Sequence, residues 1–246
     1  MSEEKTFAWP DGKRCAINLS FDDARLTQVE NGFAILDRHN IKATFYVSFG
    51  ALSKYPEEWK QALANGHEIG NHTVNHPCSC NFPWAKEFAL EDYTLEMMEE
   101  EILGANEKLE ELLGITPKTF AYPCGMTYVG RGINRRSYVP LVAKHFIAGR
   151  AYLSEPVNDP AYLDAAVLCG TGVDSMSIDE LNELVDTSLK TGSWLNMVAH
   201  DVPSGNGIGL SCENLDLLCK RLTEESDIWV DTIENITDYV ISQRNG

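Results

Sequence analysis

Short apolar runs alternate with stretches of helical period along the chain, and each change of period marks an element. Residues 15–21 read as a buried strand. Thr27-Gln28-Val29-Glu30 has the spacing of a capping box, and the apolar positions Val29, Phe33, Ile35 and Leu36 carry a helix towards Asn40. A β-rich segment over 41–47 is followed by a helix over 57–65 that places Trp59 and Leu63 on one side and stops at Gly66. Residues 67–71 should form a third strand. Residues 77–93 show no period, and an irregular segment of that length in a compact domain is usually functional or mobile, so it is expected to roof a site.

Leu95, Met98, Ile102, Ala105, Leu109 and Leu112 predict an acidic amphipathic helix over 94–113, ended by Gly114 and Pro117. A strand over 119–122 runs into Pro123-Cys124-Gly125. Further on, the pattern predicts a helix over 138–144 and strands over 146–151 and 165–168. Ser177-Ile178-Asp179-Glu180 is a second capping box, opening a helix to about Lys190 with its stop at Gly192. Residues 193–200 form a mostly apolar strand that ends in His200. A helix over 212–225, a strand over 228–230 and a helix over 233–243 complete the chain.

Strands alternating with amphipathic helices imply a parallel, right-handed α/β architecture, and 246 residues suffice for a single domain, 1–246. Such folds gather their sites at the carboxyl ends of the strands. The polar residues found there are Asp22 and Asp23 after the first strand, His72 and His76 after the third, and His200. Two imidazoles four residues apart can meet one borderline-soft cation, and a neighbouring carboxylate can complete three protein ligands while a second carboxylate acts as base. His39, His67 and His145 lack such company and read as ordinary core or surface residues.

Composition narrows the partners. The formal net charge is −17 and the pI about 4.7, which argues against nucleic acid, because phosphate backbones draw their affinity from Lys and Arg. No stretch is apolar for long enough to suggest a membrane span. Met1 to Pro10 lacks the basic start and apolar core of a secretory signal, and the seven cysteines are odd in number without CxxC spacing, so reduced thiols in a cytoplasm are expected. Cys78 and Cys80 follow His76 closely, but no second Cys or His pair completes a structural zinc site. Phe82, Trp84 and Phe88 suit either a sugar-stacking wall or the packing of a lid.

Taken in order, Ser20-Phe21-Asp22-Asp23, His72-Thr73-Val74-Asn75-His76, Phe120-Ala121-Tyr122-Pro123-Cys124-Gly125 and Val198-Ala199-His200 resemble the polysaccharide deacetylase family, also called the NodB-homology domain or carbohydrate esterase family 4. The resemblance implies a distorted (β/α) barrel of about seven parallel strands and removal of acetyl groups from N-acetylated sugars. It implies that Asp23, His72 and His76 hold Zn²⁺ or a similar divalent cation such as Co²⁺. Asp22 would be the general base and His200 the general acid, and the backbone N–H of Cys124, in the place of the family's tyrosine, would face the oxyanion. Three positions depart from the pattern: Ala121 replaces an arginine that orients the catalytic Asp, Cys124 a tyrosine, and Val198 a leucine. Arg131, Arg135 and Arg136 are the candidates to replace the guanidinium. Asp174 is the expected carboxylate partner of His200, since Asp201, adjacent on an extended strand, would point to the other face. The expected substrate is an N-acetylated sugar; a small-molecule amide or imide, cleaved by an intracellular amidase of the same fold, is the alternative. The sequence carries no signal for an oligomeric state.

Overall fold

The computed structural model describes residues 7–205 and 207–244; the residues 1–6 on which most of the leader argument rests lie outside these. Its strands are β1 (Cys15–Asp22), β2 (Thr44–Val47), β3 (Glu68–Asn71), β4 (Thr119–Ala121), β5 (Tyr128–Val129), β6 (Arg136–Ser137), β7 (Ala148–Arg150), β8 (Thr171–Gly172), β9 (Trp194–Ala199) and β10 (Ile228–Val230). Its helices are α1 (Phe33–Arg38), α2 (Phe49–Leu52), α3 (Pro56–Ala64), α4 (Leu95–Leu113), α5 (Val139–His145), α6 (Ile178–Thr191), α7 (Cys212–Glu224) and α8 (Ile233–Arg244).

One parallel sheet runs β7-β4-β3-β2-β1-β9-β8, with β10 added beside β1. All eight residues of β1 are buried, as expected of a strand flanked on both edges and covered on both faces. Its first half is paired with β10 and its second with β2, while β9 follows it along most of its length. The sheet curls into a distorted barrel, because Leu168 bridges Arg150 at one edge and Thr171 and Gly172 pair with β9 at the other. Parallel register places the ends of β1, β2, β3, β4, β7 and β9 at one rim.

Three apolar layers hold the curl. Leu36, Phe45, Trp59, Leu195 and Leu218 pack the strands against the surrounding helices. Trp9, Trp194, Ile233, Ile236 and Val240 form a second layer, and Ile102, Phe120, Tyr122 and Tyr138 a third. Glu68 is a buried exception. Its carboxyl accepts from the Thr44 and Thr119 hydroxyls and from the Glu234 N–H in the first turn of α8, while the Ile233 N–H reaches Thr44 Oγ1 at 2.9 Å. A carboxyl thus anchors the positive end of α8 to β2, β3 and β4.

Several sequence expectations need correction. The helix expected after Thr27-Gln28-Val29-Glu30 has no capping box: Thr27 is itself helical and its hydroxyl donates to Asp201, and a π-turn (Gln28–Gly32) precedes α1. Gln28 is drawn inward to bond the carbonyls of Asp22 and His200, both at 2.7 Å. Residues 165–168 are not a strand, because Asp164 caps a 3-10 turn at Ala165–Val167 and only Leu168 bridges the sheet. Residues 77–93 hold 3-10 turns at Pro83–Phe88 and Leu90–Asp92. The hairpin β5–β6, α2 and β8 have no counterpart in the apolar pattern, being only two to four residues long.

The expectation of reduced thiols fails for one pair. Cys78 and Cys124 form a disulfide, because the ends of β3 and β4 bring their Cα atoms to 6.1 Å. Closing a loop of 46 residues is worth about 4 kcal/mol on the chain-entropy model. Cys15, Cys80, Cys169, Cys212 and Cys219 are free thiols. Among the described residues, no helix is long and apolar enough to cross a membrane.

Burial pushes the Glu68 carboxyl up to about 7 despite its three donors. A folded-state value above the unfolded one gives stability that is complete below about pH 4.5 and is lost as pH rises through 7. The stability of the wild type relative to Glu68→Gln should therefore decline by up to about 3 kcal/mol between pH 4.5 and 8. Urea unfolding of both proteins across that range checks this; a constant difference would mean that the fold does not shift the Glu68 carboxyl.

Candidate active site

Asp23 follows β1 in a left-handed conformation, φ 73°, with its N–H bonded to Tyr46 O at 3.0 Å. That turn swings its carboxylate over the rim, where Oδ1 lies 3.6 Å from Nε2 of His72 and 3.6 Å from Nε2 of His76. The three ligand atoms all fall within 4.8 Å of one another. His72 Nδ1 faces Ala121 O at 2.9 Å, which fixes the tautomer and leaves the Nε2 lone pair pointing at the cluster. Burial and the neighbouring His72 push His76 down to about 4, so it is neutral at pH 7, as a ligand must be. Burial alone would raise Asp23, but His72, His76 and Arg25 hold its carboxyl below the usual range.

The turn carrying the histidines is clamped from α4. Glu101, nearly buried, accepts from the N–H groups of Val74 and Asn75 and from the Asn75 amide, while Tyr93 donates to it at 3.1 Å. This explains the positive φ of Thr73 and His76: the chain is tied at several points in a conformation it would not otherwise keep.

Asp22 and His200 face the same cavity of about 680 Å³. His200 Nδ1 lies 2.6 Å from Asp174 Oδ2, and its N–H reaches Asp174 Oδ1 at 3.0 Å. Burial would lower the imidazole, but the hydrogen bond to Asp174 and the charge of Asp22 outweigh it and raise the pKa above the ordinary value. Asp201 is turned away, onto Thr27. A larger depression, about 780 Å³, lies elsewhere, lined by Lys13, Arg14 and Lys190, and contains none of these groups.

Residues 10–133 match the family model described as polysaccharide deacetylase. The chain belongs to that family. A peptidoglycan-N-acetylglucosamine deacetylase of Bacillus cereus is 34% identical over 122 residues, which are 48% of this chain and 39% of that protein. An uncharacterized Bacillus subtilis protein, YlxY, is 32% identical over 97 residues, 39% of this chain and 27% of its own. The chain thus spans well under half the length of these curated relatives. The crystal structure of a putative polysaccharide deacetylase from Mycobacterium smegmatis superposes with a TM-score of 0.73, covering 97% of this chain and 94% of the other at 18% identity, which is a likeness of fold.

The arginine missing at Ala121 has a spatial counterpart in this chain. Arg150, fully buried at the end of β7, pairs through Nη2 with Asp22 Oδ1 and bonds Ala151 O at 3.0 Å, its guanidinium lying over the Tyr46 ring. The three arginines considered from sequence are occupied elsewhere. Arg131 pairs with Asp92, Arg135 stacks on Tyr128, and Arg136 donates to the carbonyls of Ile133 and Arg135. The missed signal was a single charge in the run Phe146-Ile147-Ala148-Gly149-Arg150-Ala151, since a buried guanidinium needs a carboxylate.

Cys124 lines the cavity on a left-handed turn, φ 53°, followed by Gly125 at φ 68°. A Cβ on Gly125 would lie 2.8 Å from Tyr152 O, so only glycine lets Tyr152 pack behind this turn and bring its ring edge-on to His200, 5.4 Å between centroids. Trp84 and Phe82 stack on each other at 5.3 Å, with Trp84 5.6 Å from His76. Both are exposed although they sit at the cavity wall.

Arg150 and Asp22 should behave as a buried pair. Arg150→Met leaves the carboxylate uncompensated and should cost about 3–5 kcal/mol, whereas adding Asp22→Asn should recover much of that loss. Denaturant unfolding of the two single variants and the double variant completes the cycle. Additive losses would show that the two side chains are not coupled.

Proposed function

We propose that the chain is a metal-dependent hydrolase that removes N-linked acetyl groups from an N-acetylated carbohydrate. The observation that carries this reading is the convergence of Asp23, His72 and His76 at 3.6 Å spacings, beside a carboxylate and a histidine that stand outside that set. One carboxylate and two imidazoles with their Nε2 atoms inward suit zinc or cobalt, and the cavity leaves room for water and substrate. Bound there, such an ion would supply Lewis acidity, making water nucleophilic near neutral pH and polarising the acyl oxygen.

The remaining work falls to the chain's own residues. Asp22, held in one orientation by Arg150, accepts the proton of the attacking water. The Cys124 N–H donates to the oxygen that gains charge as the carbonyl becomes tetrahedral. His200, whose pKa Asp174 raises, delivers a proton to the departing nitrogen, which is otherwise a poor leaving group. Trp84 and Phe82 offer a flat wall on which the apolar face of a sugar ring can stack. The relative named as a peptidoglycan-N-acetylglucosamine deacetylase supports an N-acetylglucosamine unit in the substrate. A second reading, hydrolysis of a C–N bond in a small amide or imide, is favoured by the cavity volume, about 680 Å³, which lies in the range of small-ligand sites. Metal-stripped protein reloaded with Zn²⁺ or Co²⁺ and offered chito-oligomers, N-acetyl monosaccharides and cyclic imides separates the two.

His72→Ala and His76→Ala should each abolish turnover and tight metal binding, while Asp22→Asn keeps the metal and loses turnover, as read by metal content and acetate release. Loss of metal from Asp22→Asn, with retention in Asp23→Asn, would exchange the two roles. His200→Ala should slow amide cleavage about 10²- to 10⁴-fold and an aryl acetate much less, because that leaving group needs no proton. Equal losses on both substrates would remove His200 from the acid role.

A further inference from the structure

We propose that the Cys78–Cys124 disulfide positions the reaction's oxyanion donor, so that Cys78 acts on catalysis through Cys124 and opening the bond slows turnover without releasing the metal. The inference rests on the reading of the Cys124 N–H as that donor. Cys124 carries a Cβ in the left-handed region at φ 53°, a conformation such residues avoid unless their surroundings impose it. The amides after it turn back, Gly125 N–H to Tyr122 O at 2.8 Å and Met126 N–H to Pro123 O at 3.0 Å. No bond from the Cys124 N–H to another group of the chain is found among the described residues, and the residue lines the cavity beside His72 and His76.

The other end of the bond is rigid. Cys78 is fully buried two residues after His76, its N–H bonded to Phe88 O at 3.2 Å and its carbonyl to Leu90 N–H at 2.9 Å. The disulfide therefore fastens the oxyanion turn to the backbone that leaves the metal-ligand turn, and also to the segment that carries Phe82 and Trp84. Without it, Cys124 keeps its unfavourable turn by noncovalent contacts alone, and its N–H loses a fixed aim. Reduction by a phosphine breaks the S–S bond, passes two electrons to the sulfurs, takes two protons and an oxygen from water, and yields two thiols and the phosphine oxide.

The test uses the full chain, loaded with zinc. Peptide mapping without reductant should recover Cys78 linked to Cys124; free thiols at both positions in protein handled under air would overturn the proposal regardless of activity. On a substrate the wild type turns over, the phosphine-reduced protein (reductant removed under argon) and the Cys78→Ser variant should both lose about ten- to a hundredfold in kcat, with KM and zinc content little changed. Reoxidation should restore the reduced wild type, and Cys78→Ser should not respond to either treatment. All rates are compared at a temperature below every unfolding midpoint, so a bond that only stabilises the fold would shift the midpoint and leave kcat alone, which overturns the proposal. Failure of the wild type to cleave any amide or ester would sink the functional reading instead, and the peptide map would still decide the bond.

Discussion

A buried ion pair across the barrel, Arg150 to Asp22, is the constraint on which the site depends. Both side chains lie at strand ends with almost no solvent contact, where either charge alone would cost several kcal/mol. The pair can exist only if β7 and β1 converge at the rim, so the curl of the sheet and the placement of the carboxylate are one requirement. Tyr46, on β2 beside β1, supplies the ring beneath the guanidinium. Gln28, which ties the carbonyls of Asp22 and His200 together, repeats the theme on the other side of β1.

A second ion pair, His200 to Asp174, faces the first across the cavity, and the Asp23, His72 and His76 cluster lies in the same cavity. The two pairs work in opposite senses: a carboxylate kept from wandering by an arginine, and an imidazole whose pKa a carboxylate raises. A metal held by that cluster would need a neutral His76, and burial beside His72 lowers its pKa to about 4. One rim thus gathers the residues proposed as base, acid and ligand set, each oriented by its own neighbour.

Much of this was legible in the sequence because the motifs are local. Asp22-Asp23, His72 to His76 and His200 each end a strand whose apolar run announces it, so residue type, spacing and placement agree. Asp174 entered as the nearest counterpart of a carboxylate that the family resemblance implies, and it does bond His200, while Asp201 is turned onto Thr27. Arg150 was hidden although its strand was expected over 146–151, because its partner is 128 positions away. The disulfide was hidden for a similar reason: Cys78 and Cys124 meet only because β3 and β4 are neighbours. The middle of the chain folds through two-residue strands and 3-10 turns, which are too short to leave a period, and the 165–168 segment misled because an apolar run there serves a turn capped by Asp164.

The claim that two opposed ion pairs set the acid and the base is tested most directly by the pH profile of kcat/KM for zinc-loaded wild type and Asp174→Asn. The account predicts a bell, whose descending limb reports the loss of the His200 proton. Removing the Asp174 carboxylate takes away the hydrogen bond that raises the imidazole, so that limb should move to lower pH while the ascending limb stays in place. A descending limb that does not move, or an ascending limb that moves in its stead, would contradict the account.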